Sequence, residues 1–395
     1  LDHMMRYKMN YYVYGPKADP YHAGNWRVNY PETVTDDQRK LGQITTSDIQ
    51  QLATHAAACK VDFVWAVHPT LGSYYISLDW VDDIMTKFQQ LYSLGVRHFG
   101  VSVDDMSGHP TNQAQLPDKV QQAIDEKWNT ADAAEADRVG NVLFVPTCYA
   151  LNYGATYSLT PIQEISSKVE VAFTGYDCFS NVRASSFGFM AEYIGRDPIF
   201  WWNNPVNDDH DTWLYMHGLT ARWTIEQTGA VDHMRGFLLN PMNQGQVSKI
   251  CNFSAADYSW NPDAYNEQSS WEQALKSIVK TDENVKALKD FIRVMSAYTT
   301  TETTSPEGEE LKPLYQDFQS NYSSTSVPEC TELKEAMQNC YDACLVIRTF
   351  KDSEDPDLAL FYTDIEPWLD KVQDMARIVL KSIEFMTQGA SSLDH

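Results

Sequence analysis

Val-Arg-His-Phe-Gly-Val-Ser-Val-Asp-Asp, residues 96–105, is a run of strand-forming residues that stops at two adjacent carboxylates and continues as Met-Ser-Gly. Valine and phenylalanine favour a pleated, buried chain, and the C-terminal end of a parallel strand is where a (β/α) barrel keeps its catalytic groups. Two carboxylates this close cannot both ionise freely, so one pKa is expected to rise while the other falls, separating a proton donor from a charged partner. Asp104 and Asp105 are therefore the first candidates for acid and anion. For an isolated Asp-Asp, a solvated loop or a cation site is the competing reading.

Working outward, apolar, β-branched and aromatic runs recur at about 10–16, 62–67, 97–103, 141–147, 170–174, 199–203 and 235–239. Longer segments with helical periodicity separate them, among them 48–60, 78–94 and 116–136. Strand then helix, repeated, with near-continuous apolar strands, implies a parallel sheet covered by helices. The expected class is α/β, a TIM-type (β/α)8 barrel, because no Gly-rich phosphate loop follows any strand and polar residues cluster after almost every one. Only seven strands can be counted, so one is expected to precede Leu1 or to be unrecognised. After about residue 250 the character changes: 270–281, 283–298, 331–350 and 357–387 have helical spacing, and 299–306 and 320–328 are Ser/Thr/Pro-rich breaks. The expected domains are a catalytic barrel over 1–250 and a helical domain over 251–395.

The 395 residues are 43% hydrophobic, 12% aromatic and 21% charged, the composition of an ordinary globular chain. A formal charge of −24 argues against nucleic acid or an anionic membrane as partner, since both need a basic surface. No apolar stretch approaches the roughly 20 residues of a membrane span. The seven cysteines lie mostly singly in apolar segments, where buried thiols are expected. Cys340 and Cys344 share a helix face and read as a core stripe, lacking a nearby His or second pair for a metal. No His-x-His or His/Asp cluster occupies the strand ends, so no metal and no cofactor is expected in the site.

The strand ends carry Tyr14-Gly-Pro-Lys17, Val67-His-Pro69, Val103-Asp-Asp105, Pro146-Thr-Cys-Tyr149, Phe173-Thr-Gly175, Trp201 to Asp208, and Leu239-Asn-Pro-Met242. Neutral and charged hydrogen-bonding groups beside Trp and Tyr suit a sugar, whose hydroxyls want donors and acceptors and whose faces want an aromatic wall. His68 reads as a buried, hydrogen-bonded histidine before an acid or base.

Tyr-Gly-Pro-Lys-Ala-Asp-Pro-Tyr-His (14–22), Val-Asp-Phe-Val-Trp-Ala-Val-His-Pro (61–69), the Val-Asp-Asp strand end, Trp-Trp-Asn-Asn-Pro-Val-Asn-Asp (201–208), Leu-Asn-Pro-Met (239–242) and Tyr-Ser-Trp-Asn-Pro (258–262) together resemble glycoside hydrolase family 84. That family holds the O-GlcNAcases and bacterial β-N-acetylglucosaminidases, some called hyaluronidases. The resemblance spans about residues 7–265. It implies retaining hydrolysis of a terminal β-linked N-acetylglucosamine, on protein Ser/Thr or glycan ends, with the substrate's 2-acetamido group as nucleophile and an oxazoline intermediate.

On the same resemblance, Asp104 would accept the acetamido N–H and Asp105 would act as acid and then base. Lys17, Asp208 and Asn240 would bind sugar hydroxyls, and Tyr149 and Asn203 would hold the acetamido region. Thr174 would line the pocket and Trp201 its wall. Val145 and Cys148 depart from residues familiar at those positions, and the loop at Tyr176, Asp177 and Cys178 leaves aglycone preference open. Family members open with a strand bearing a Gly-Phe-Tyr-Gly-like segment, which is expected to lie before Leu1 or to be supplied by a separate N-terminal segment. A catalytically impaired, GlcNAc-binding, lectin-like form is therefore the alternative expectation. For compartment, the resemblance implies bacterial secretion or the periplasm ahead of the cytoplasm.

Overall fold

Each of the seven expected strands forms. A computed structural model describes residues 1–106, 108, 110–155, 160–208, 211–219, 225–226, 229–295, 311–323 and 326–393. In it the chain makes two compact units, Leu1–Asn203 with Glu226–Leu238, and Asn204–Ile225 with Leu239–His395. The division falls inside the sixth and seventh strands and gives the segments just after them to the second unit, whereas the sequence suggests a single cut near 250.

In the first unit the order is α1 (Asp2–Arg6), β1 (Tyr11–Tyr14), α2 (Asp36–Lys40), α3 (Thr46–Ala58), β2 (Asp62–Val67), α4 (Trp80–Ser93), β3 (His98–Ser102), α5 (Gln115–Trp128), β4 (Leu143–Val145), α6 (Thr160–Gln163), β5 (Glu170–Phe173), α7 (Ala184–Ile194), β6 (Ile199–Pro205) and β7 (Gly236–Asn240). Sheet order follows chain order, β1 to β7, with parallel registers such as Val13↔Val64, Val64↔His98, Gly100↔Leu143 and Ala172↔Ile199.

Strands β2 to β6 are largely buried on both faces, which is why they read as continuous apolar runs, whereas β1 and β7 are half-buried. One face carries the large aromatics. Phe88 of α4 stacks on Phe99 of β3 at 4.1 Å between ring centroids, and Phe187 of α7 meets Phe173 and Phe200 edge-on. The other face turns inward, where Val64, Leu143, Val145, Ala172 and Ile199 pack with Tyr11, Val13, Trp201 and Leu238. Gly100 belongs to this face because a Cβ there would sit 3.0 Å from the Ala66 Cβ and 3.2 Å from the Leu143 carbonyl.

The sheet is rolled. Burial raises the pKa of the Tyr11 phenol on β1, and the charge of Glu170 on β5 raises it further. In a flat sheet those strands would stand roughly 19 Å apart, four strand spacings. Arg235, just before β7, likewise reaches back past β6 to Glu170 at 2.8 Å. The curvature is that of a (β/α) barrel of seven strands.

The second unit contains α8 (Gly245–Trp260), α9 (Glu267–Val279), α10 (Asp282–Ile292), α11 (Lys312–Asn321), α12 (Thr331–Arg348) and α13 (Pro356–Leu393). Its core joins Leu275 and Ile278, Leu288 and Phe291, Cys344 and Ile347, and Phe361, Ile365 and Leu369. Cys340 and Cys344 are buried in that core. No described helix is long and apolar enough to cross a membrane.

Some sequence boundaries shift. The helix expected over 116–136 ends at Trp128 because the Asn129 side chain turns to Val139, accepting its N–H at 2.8 Å and donating to its carbonyl at 3.0 Å. The α11 helix is not apparent in the sequence beside the Ser/Thr-rich breaks, and the break at 299–306 lies outside the described residues.

Candidate active site

Strand alternation aims the site. Residues 98, 100 and 102 share the inward face of β3, and Asp104 continues that phase; Thr174 and Asn203 continue the inward phases of β5 and β6. Asp105 does not follow the alternation, because its φ is +52°, in the left-handed region that Asp tolerates better than most residues. This turn swings the second carboxylate off the strand and back beside the first.

Lys17, just beyond β1, joins the pair. Its ammonium donates to Asp104 Oδ2 at 2.8 Å and also to Asp105 Oδ2. The environments of the two acids differ. The Asp104 side chain is 18% exposed and that of Asp105 55%. Burial pushes the Asp104 pKa up, but His68 and the Lys17 ammonium outweigh it and hold the carboxyl well below the usual carboxylate range. His68 Nε2 donates to the Asp104 main-chain carbonyl at 2.9 Å and lies 3.3 Å from the carboxylate Oδ1. It is 1% exposed, as befits a positioning group with no access to solvent. Lys17 is held protonated: burial alone would lower its pKa, and the two carboxylates raise it above the usual value.

Asp105 has a second neighbour. Tyr149, following β4, donates its phenol to Asp105 Oδ1 at 3.2 Å and lies 3.3 Å from the Tyr153 hydroxyl and 3.7 Å from the Cys178 sulfur. The Asn203 amide donates to the Cys178 carbonyl at 2.9 Å and to its sulfur at 3.4 Å, while its oxygen accepts from Trp201 Nε1 at 3.2 Å. Thr174 donates to the Asp177 carbonyl at 2.8 Å and lies 3.2 Å from that of Tyr149, so its hydroxyl ties the loop after β5 to β4. Gly175 makes that loop possible with a φ of +101°, and Ser180 closes it onto Asp177.

Of the nine residues singled out in the sequence, Lys17, Asp104, Asp105, Tyr149, Thr174, Trp201 and Asn203 lie in the first unit. Through Cys178 and Tyr149, the structure links Trp201 and Asn203 to the Asp-Asp pair. Asn240 and Asp208 belong to the second unit, where the Asn240 carbonyl accepts from Val206 at 2.9 Å and Asp208 sits in an exposed turn. Sequence reasoning did not name Cys178 or Tyr153 as site residues. Cys178 lies in a loop and Tyr153 in a single short 3-10 turn, Leu151–Ala155, where no periodicity marks an inward direction.

Chemically, the cluster offers a half-buried carboxyl with a lowered pKa, a more exposed carboxyl beside it, a lysine cation, and phenol, thiol and amide groups around them. Residues 1–293 match the family described as beta-N-acetylglucosaminidase, NAGidase. The chain is 22% identical over 301 residues to protein O-GlcNAcase from Rattus norvegicus and, equally, from Mus musculus; each alignment covers 71% of this chain. It spans only 29% of the length of those relatives.

Among solved structures, CpGH84D superposes with a TM-score of 0.79 at 26% identity, over 100% of this chain and 62% of that one. CpGH84B gives 0.74 at 23% identity, over 99% and 66%. A mutant of the Thermobaculum terrenum O-GlcNAc hydrolase gives 0.75 at 19% identity, over 99% and 82%. With the family match covering the whole first unit, and the fold shared by these neighbours, the chain belongs to the β-N-acetylglucosaminidases of glycoside hydrolase family 84.

Proposed function

We propose that the chain is a retaining exo-β-N-acetylglucosaminidase that uses the substrate's own acetamido group as nucleophile. The observation that carries this reading is the unequal pair: two neighbouring carboxylates on one lysine, one half-buried with its pKa lowered, the other open to solvent. An enzyme nucleophile would need a carboxylate on the far face of the sugar; two carboxylates from one strand end suit a nucleophile that the substrate brings.

In the first step the acetamido oxygen bonds to C1 as the glycosidic C1–O bond breaks, and Asp105 gives its proton to the leaving oxygen. Asp104 accepts the acetamido N–H and offsets the positive charge that develops on the oxazoline. In the second step water attacks C1, its proton passes to Asp105, and the acetamide re-forms with the β configuration retained. Tyr149 and Asn203 steady the acetamido region, Trp201 supplies an apolar wall, and Lys17, Asp208 and Asn240 bind hydroxyls, in the roles that the family resemblance assigns. The proposed substrates are O-GlcNAc on protein Ser/Thr, the modification named in the mammalian relatives, and terminal β-GlcNAc of glycans.

The test is hydrolysis of phenyl and 4-nitrophenyl β-N-acetylglucosaminides. Phenoxide is a poor leaving group, so Asp105→Asn should lower turnover of the phenyl substrate by about 10²–10⁴-fold, and that of the nitrophenyl substrate by much less. An equal deficit on both would remove Asp105 from the acid role. Saturable GlcNAc binding by the parent without turnover of either would favour a binding module.

A further inference from the structure

A second cluster lies away from the catalytic pair. His55 in the last turn of α3 and Cys59, the C-cap just beyond it, stand four residues apart and share a face; Asp2 of α1 meets them. His55 Nε2 lies 3.0 Å from Asp2 Oδ1, and the Cys59 sulfur lies 3.6 Å from Asp2 Oδ1 and 3.7 Å from His55 Nε2. These are three different ligand types, converging from two helices with their donor atoms all within 4.8 Å of one another.

The distances fit a tetrahedral ion. Zinc bonds of about 2.0–2.1 Å to nitrogen and oxygen and about 2.3 Å to sulfur give ligand–ligand edges of about 3.4–3.6 Å at tetrahedral angles. Two of the three observed edges already fall close to that range, and the third needs only a few tenths of an ångström. Cys59 is 4% exposed, whereas the Asp2 and His55 side chains are 74% and 51% exposed. An ion held there would have a shielded thiolate on one side and a position open to water on the other.

We propose that Asp2, His55 and Cys59 form a structural site for one zinc-class divalent cation. Binding replaces the thiol proton, released to solvent, with a sulfur–metal bond; His55 binds through neutral Nε2, Asp2 through a carboxylate oxygen, and water completes the tetrahedron. The site closes the end of α3 that leads into β2. That is where the strands begin, opposite the end bearing Asp104 and Asp105, so the ion takes no part in glycoside chemistry. Its task is to hold α1 down. The stretch Asp2–Arg6 contains no buried residue, so a metal bond to the end of α3 adds an attachment for it.

The experiment is a titration of the reduced, metal-free chain with Co²⁺ as spectroscopic probe, followed by displacement with Zn²⁺. One equivalent should produce a thiolate-to-cobalt charge-transfer band and visible bands of tetrahedral strength, and Zn²⁺ should abolish both. Cys59→Ser should remove the charge-transfer band, and the exposed His55→Gln, which leaves the thiol in place, should weaken binding at least tenfold. Zn²⁺ should also slow alkylation of Cys59, read by peptide mapping, in the parent but not in His55→Gln. Absence of a thiolate band in the parent, or an unchanged titration in His55→Gln, would overturn the proposal.

Discussion

At the scale of single residues, protonation separates groups that look alike in the sequence. Asp104 has a folded pKa below its unfolded value of about 3.9. Its stabilising contribution is therefore complete above that value and is lost as pH falls through the folded pKa. Thermal unfolding between pH 2 and 5 should show the parent losing stability more steeply than Asp104→Asn, and the variant should also lose turnover at every pH. Cys178 makes the opposite case. Burial pushes its thiol up, and the negative charge of Asp105 adds to the shift, so it is mostly protonated at neutral pH and reacts slowly. Alkylation mapped by mass spectrometry should accelerate as pH rises toward and past 9, should abolish turnover, and should be slowed by bound GlcNAc. Labelling without loss of activity would place Cys178 outside the sugar pocket.

At the scale of elements, the first unit buries a charge that no pattern in the sequence announces. Lys87 lies on the inner side of α4, 1% exposed, with its ammonium donating to the Val28 carbonyl at 2.6 Å and seated 4.3 Å from the centroid of Tyr30. Burial pushes its pKa down to about 7, against the pull of Asp19. From about pH 7 to the unfolded value near 10.4, the unfolded chain holds a proton that the folded chain has lost, so this group makes stability rise with pH across that window. Below 7 both states are protonated and the dependence vanishes. Lys87→Met keeps the stem and removes the ammonium. It should flatten the rise in melting temperature between pH 7 and 10 while costing less than about 1.5 kcal/mol at neutral pH; an unchanged slope would show that Lys87 is not its source.

At the scale of the whole molecule, 30 basic and 54 acidic residues leave a charge of −24, whose field favours cationic ligands and weakens with salt. Glycopeptides carrying Lys or Arg near the sugar should be cleaved with higher kcat/KM than acidic ones of equal length, and the ratio should shrink between 20 and 500 mM salt; a salt-independent ratio would trace the preference to local contacts. The α/β class, the seven described strands and the placement of Asp104 and Asp105 at a strand end were legible without coordinates. Each rests on local chemistry: strand runs buried on both faces are apolar throughout, and a carboxylate pair at the end of such a run stands at the mouth of the barrel, where polar groups meet a ligand. What the chain alone could not reveal was which partners each acid acquires. That Asp104 is held ionised depends on Lys17, 87 positions away, and on His68; that Cys178 reaches Tyr149 and Asn203 depends on the turn at Gly175; and that Asp2 meets His55 and Cys59 depends on how α1 lies on α3. Sequence determines periodicity and strand phase because those follow from neighbours along the chain, whereas charge state, loop placement and ligand geometry arise from groups distant in sequence that meet only when the sheet rolls and the helices settle on it.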